Sequence, residues 1–154
     1  GLKKEVESIK QAIMLLGLSK IKTWVSLLGL SGIDNKPKEL RVVAMTRAKM
    51  CELLAKYYKG QPETFFAAGL FSTLDALIDK PLPELLGKLP LSDELKQALT
   101  THSGIIGRAL HDVISYERGD WVAVNASPLP VEIIARSYLE AINWAKELNS
   151  QIQD

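Results

Sequence analysis

Apolar residues recur at three- and four-residue steps along nearly the whole chain. No stretch of four or more residues between turn signals alternates strictly between polar and apolar in a way that would read as a hairpin, so the pattern predicts an all-α protein, a compact multi-helix bundle. Residues 4–16 place Val6, Ile9, Ile13 and Leu16 on one face, with Gly17 as a stop and Leu18 able to close it. A second helix starts at Ser19, carries Ile21, Val25 and Leu28, and ends before Ser31-Gly32; Asp34-Asn35-Lys36-Pro37 is a turn cluster. The longest internal stripe runs over 38–58 through Leu40, Val43, Ala44, Arg47, Ala48, Cys51, Leu54, Ala55 and Tyr58, and Lys59-Gly60 ends it. Residues 63–79 read as one helix, apolar on several sides and therefore central.

Beyond Pro81-Leu82-Pro83, Pro83 suits the first position of a short helix that reaches Lys88. Ser92 reads as the N-cap of a helix to about Thr101, with Asp93 and Glu94 at the positive end of its dipole. Residues 105–118 form another helix, stopped by Gly119, and 122–130 form the one long loop. A final helix over 131–151 bears Ile134, Tyr138, Ala141, Ala145 and Leu148. No repeat or low-complexity tract is visible.

Composition narrows the class. With 154 residues, 47% of them apolar, the chain suits one domain, 2–154; Gly1 precedes Leu2 where a start Met would stand, as a tag remnant would. The 19 Lys+Arg against 18 Asp+Glu leave a net charge of +1, which argues against nucleic acid or an anionic bilayer as partner. The longest apolar runs, Ala12 to Leu18 and Phe65 to Phe71, fall well short of the roughly 20 residues of a membrane span. The lone Cys51 excludes an internal disulfide and no signal peptide opens the chain, so a soluble protein of a reducing cytoplasm is expected.

Candidate chemistry is sparse. His111-Asp112 matches the metal-binding doublet of the HD phosphohydrolases, but His102, nine positions earlier, falls on the far face of a continuous helix, and the doublet flanks the apolar stripe. A solvated helix face is the expectation for it. Cys51 lies on an apolar stripe, as a core thiol does. Gly69, Gly104 and Gly107 lack phosphate-loop spacing and read as sites of close helix approach. Trp24, Trp121 and Trp144 lack flanking basic clusters and read as core or interface aromatics. Arg47, in contrast, sits inside an apolar stripe and needs a partner. Asp75, three or four residues from Phe71, Ser72 and Ile78, is the first choice for a buried ion pair, with Glu52 and Glu117 in reserve; a phosphate held by Arg47 is the functional alternative.

Several strings resemble one family. Ser8 to Gly17, Arg47 to Ala55, Gly69 to Leu77, Leu89-Pro90-Leu91-Ser92, Tyr116 to Trp121, and Tyr138, Ala141 and Trp144-Ala145 together are similar to the HDOD domain, the HD-related output domain, of the type found in bacterial EAL-HDOD cyclic di-GMP signalling proteins. The resemblance covers nearly the whole chain. It implies an α-helical relative of the HD and HD-GYP phosphohydrolases that has lost its metal ligands. On this alignment the ligand His-Asp becomes Ser72-Thr73 and an upstream ligand His becomes Ala48, leaving vestigial metal-site positions with no metal, no cofactor and no catalytic residue.

The function so implied is a non-catalytic regulatory domain acting through an adjoining EAL-like domain or another signalling protein. Any cyclic di-GMP phosphodiesterase activity would then belong to an EAL domain outside this chain. Two alternatives are a metal-dependent phosphohydrolase using His102, His111, Asp112 and Asp120, and a nucleotide- or anion-sensing domain using the vestigial pocket around Arg47. Domains of this type usually carry several helices before the stretch that begins at Ser8. The chain therefore reads as a C-terminal fragment, and the apolar faces of 4–30 and of the last helix would be left open for a homodimer.

Overall fold

The computed structural model describes residues 2–17, 21–22 and 37–152, and all regular structure among them is helical. Helix α1 (Leu2–Leu16) buries Val6, Ile9 and Ile13; Gly17, at φ +76°, closes it with an N–H to Ile13 O bond of 2.9 Å. The expected helix from Ser19 falls outside the described residues except for Ile21, which is buried, and Lys22. Trp24, Val25, Leu28 and most of the following turn cluster lie outside them too.

Helix α2 (Lys38–Leu54) starts after Pro37 and tightens into a 3-10 turn, Ala55–Tyr58, closed by Lys59 in the left-handed region. Its buried face, Ala44, Ala48, Cys51 and Leu54, repeats at three- and four-residue steps as the sequence pattern requires. Helix α3 (Pro62–Phe71) buries every residue from Phe65 to Phe71, and α9 (Val131–Ile152) buries Ile134, Ala141 and Ala145. These two are the most extensive neighbours of α2. Each fully buried Phe or Leu at such an interface contributes about 1.5–3 kcal/mol, so this three-helix contact dominates the core.

Shorter elements complete the bundle: α4 (Leu74–Ile78), α5 (Leu82–Leu86), α6 (Asp93–Thr101), α7 (Gly104–Arg118) and α8 (Trp121–Asn125). Ser92 Oγ accepts the Leu95 amide at 3.2 Å, the expected cap of α6. Gly119, at φ +70°, ends α7. None of the described helices is long and apolar enough to cross a membrane.

Two elements differ from the sequence expectation. Residues 63–79 are not one helix: the chain turns at Ser72-Thr73 between α3 and α4. The 122–130 loop contains most of α8, whose cap is Asp120, accepting the Ala123 amide at 3.2 Å. Five residues are too few to display a helical period, so only the cap could have marked that element.

Candidate functional site

The break between α3 and α4 has a local cause. Ser72 Oγ donates to Gly69 O at 2.7 Å and Thr73 Oγ1 donates to Leu70 O at 2.6 Å. Both side chains are buried and must find partners, and back-bonding to carbonyls three residues earlier competes with the α-helical ladder. The Thr73 amide accordingly bonds to Leu70 O at 3.1 Å, a tightened turn.

Close backbone packing brings α2 to this turn. A Cβ on Gly69 would stand 2.7 Å from both Ala48 Cα and Arg47 O, so only glycine lets α3 sit directly on α2. Ala48 is completely buried there. Arg47, one residue away, extends Nη1 to Ser72 Oγ at 3.1 Å. Its other edge faces α7, where Nη2 meets Glu117 Oε1 at 2.7 Å and Nε meets Glu117 Oε2 at 3.1 Å.

The carboxylate partner of Arg47 is therefore Glu117, the reserve choice, and the expected Arg47–Asp75 pair is corrected. Asp75 is exposed, and its Oδ1 accepts the Ala76 amide at 2.9 Å. The expectation assumed a continuous helix. The turn at Ser72-Thr73 resets the angular position of everything after it, so spacing from Phe71 no longer places Asp75 against α2.

Arg47, Ser72, Thr73, Asp75, His102 and Arg118 border a cavity of about 290 Å³ whose remaining walls are mainly aliphatic. A divalent metal does not fit the residues at this centre. The Ser72 and Thr73 hydroxyls donate to carbonyls, and the Arg47 guanidinium adds a fixed positive charge beside them. Among the described residues no three His, Cys, Asp or Glu side chains come together to hold a metal ion.

The His111-Asp112 doublet is placed differently from its expected solvated face. His111 is exposed, but Asp112 is only 3% exposed and accepts a short hydrogen bond from the Tyr58 hydroxyl at the end of the 3-10 turn. Burial pushes the Asp112 carboxyl up, against the pull of its hydrogen bonds with Tyr58 and Ser127 and of the nearby His111. Burial likewise pushes the Tyr58 hydroxyl up, and Asp112 adds to that shift. Nothing in the sequence marked Tyr58 as a partner, because a tyrosine closing an apolar stripe reads as packing.

His102 and His111 also meet, contrary to the helical-wheel argument. Their ring centroids are 5.7 Å apart in an edge-to-face arrangement. The chain leaves α6 at His102 in the left-handed region, φ 55°, and α7 starts afresh at Gly104. Gly107 then presses against the His102 backbone: a Cβ there would lie 2.1 Å from His102 C. Burial lowers the His102 pKa, and the neighbouring His111 and Arg118 lower it further.

The remaining singled-out residues are structural in placement. Cys51 is buried, and burial raises its thiol, opposed by Arg47 and assisted by Asp112 and Glu117, to about 12. Trp144 packs edge-on to Phe66 with Lys49 Nζ over its ring at 5.2 Å. Trp121 is half exposed and leans on Tyr116, with centroids 5.4 Å apart.

The family model for the HDOD domain matches residues 1–102. An uncharacterised protein of Bacillus subtilis, YuxH, is 36% identical across 96% of this chain, which spans 38% of that protein. The cyclic di-GMP phosphodiesterase CdgJ of Vibrio cholerae is 35% identical across 96% of this chain, which spans 36% of it. The chain thus corresponds to little more than a third of the length of either relative. No solved structure matches.

Proposed function

Because the chain belongs to the HDOD family, we propose that it is a non-catalytic regulatory module of bacterial cyclic di-GMP signalling. It acts in the cytoplasm through contact with an adjoining EAL-like domain or another signalling protein. The observation that carries this reading is Arg47 held against Ser72 and Glu117, beside Ala48, Ser72 and Thr73, where the family resemblance puts a lost metal centre. A guanidinium tied to a serine and a glutamate is a structural cross-link, and it opposes binding of a divalent ion. CdgJ, named a cyclic di-GMP phosphodiesterase, matches this chain over about a third of its length, which leaves ample sequence elsewhere in it for a catalytic domain.

Two measurements test the reading. The chain, supplied with Mn²⁺, Fe²⁺ or Zn²⁺, should neither retain stoichiometric metal nor hydrolyse cyclic di-GMP or a phosphomonoester. Turnover abolished by a chelator would overturn its non-catalytic character. An EAL domain assayed with this chain added in trans should change its cyclic di-GMP hydrolysis rate by about twofold or more, on the order of 0.4 kcal/mol in barrier. An unchanged rate at saturating chain would remove the EAL domain as partner.

A further inference from the structure

A second cleft, of about 490 Å³, opens between the end of α6, the first half of α7 and the segment after α8. Thr101 and His102 line it from α6, Arg108, His111 and Asp112 from α7, and Ser127 from beyond α8. Five of these six side chains offer hydrogen-bond donors. The sixth, Asp112, is the one carboxylate among the described lining residues, and it is buried and engaged by Tyr58. Arg118 adds a further positive charge that acts on His102. The cleft wall is therefore rich in hydrogen-bond donors, with Arg108 as its fixed positive charge.

We propose that this cleft binds the phosphate group of a small phosphomonoester, gripped by Arg108 and by the His102–His111 pair in its protonated form. Arginine's planar fork matches a phosphate edge. Two imidazoles 5.7 Å apart repel when both are protonated, and a dianion against them removes that repulsion while accepting their N–H groups. The pair exists because Gly107 admits the His102 backbone, so the fold constructs it. The cleft is larger than a phosphate and falls in the size range of small-molecule sites, leaving room for the organic part beside Ala123, Ala126 and Pro128. Binding takes up protons onto the imidazoles, so affinity falls as pH rises through the histidine range. The groups that bear on this titration are Arg108, His111, Asp112 and Arg118 on α7 and Tyr58 on the 3-10 turn, with Thr101 and Ser127 as neutral neighbours.

The test follows the two histidine side chains by NMR during titration with sulfate, which stays a dianion throughout, at constant ionic strength. Saturable shifts of both rings are expected, with affinity about fivefold or more tighter at pH 6 than at pH 8. Arg108→Gln and His111→Gln should each weaken binding by about fivefold or more, whereas Arg136→Gln, on α9, should leave it unchanged. Circular dichroism establishes that each variant is folded, and Arg108→Lys, which keeps the charge, should bind between wild type and Arg108→Gln. Phenyl phosphate should bind about threefold or more tighter than sulfate, because its ring fills the rest of the cleft. Linear, unsaturable shifts, equal affinity at both pH values, undiminished binding by Arg108→Gln, or phenyl phosphate no tighter than sulfate would each overturn the proposal.

Discussion

Arg47 holds Glu117 by two parallel bonds, Nη2 to Oε1 at 2.7 Å and Nε to Oε2 at 3.1 Å, joining α2 to α7 across 70 residues of sequence. The same guanidinium reaches Ser72 Oγ at 3.1 Å, so one side chain ties together α2, α7 and the turn between α3 and α4. A lysine could supply the charge but not this planar, three-way geometry.

Glu117→Ala should therefore destabilise the fold by about 1–2 kcal/mol. The value lies below the full penalty for a broken buried pair because the Glu117 side chain is 35% exposed. Asp75→Ala, which removes an exposed carboxylate, should stay within about 0.5 kcal/mol. Urea midpoints of the two variants decide the matter, and a larger loss for Asp75→Ala would reverse the assignment.

Gly107→Ala should cost about 1–3 kcal/mol, because the new methyl would stand 2.1–2.8 Å from His102 backbone atoms and force α7 away from the end of α6. It should also separate the His102 and His111 rings, seen as an upward move of the His102 titration once His111 no longer lowers it. An alanine variant with wild-type midpoint and an unchanged His102 titration would contradict the close approach.

The Tyr58–Asp112 contact predicts a pH dependence. The folded-state pKa of Asp112 is raised, so the folded chain binds more protons than the unfolded one between about pH 4, the ordinary carboxyl value, and that raised value. The stability this group contributes is thus fully present below about pH 4 and declines as pH rises through its folded pKa. Asp112→Asn should flatten that decline in denaturant midpoints measured between about pH 4 and pH 7. Tyr58→Phe, which removes the donor, should steepen it and cost about 1–3 kcal/mol at neutral pH. Identical pH profiles for wild type and Asp112→Asn would refute the account.

Cys51 should be inert to thiol reagents in the native state, since the thiol is buried and its pKa is pushed up to about 12. Its alkylation should track unfolding, accelerating with urea in step with loss of helical signal. Rapid stoichiometric labelling of the folded chain would show an accessible thiol instead.

The hydrophobic period and the capping residues carried the all-α class, the buried faces of α1, α2 and α9, the central place of Phe65 to Phe71, and the ends at Gly17, Ser92 and Gly119. Such features depend on neighbours within one or two turns, and local spacing records them directly. The family was legible for a related reason, since its strings are runs of adjacent residues whose order survives without coordinates. Arg47 was legible as a charge needing a partner, but the identity of that partner was not. The choice of Glu117 over Asp75 turned on a break at Ser72-Thr73, where two buried hydroxyls outcompete the helical ladder, and on Gly69, which sets how closely α3 approaches α2. The burial of Asp112 against Tyr58 and the meeting of His102 with His111 arose in the same way, from a left-handed residue and a glycine contact that redirect one helix against another. Sequence spacing fixes angles only within an unbroken helix; once the chain turns, packing between helices decides which polar groups meet.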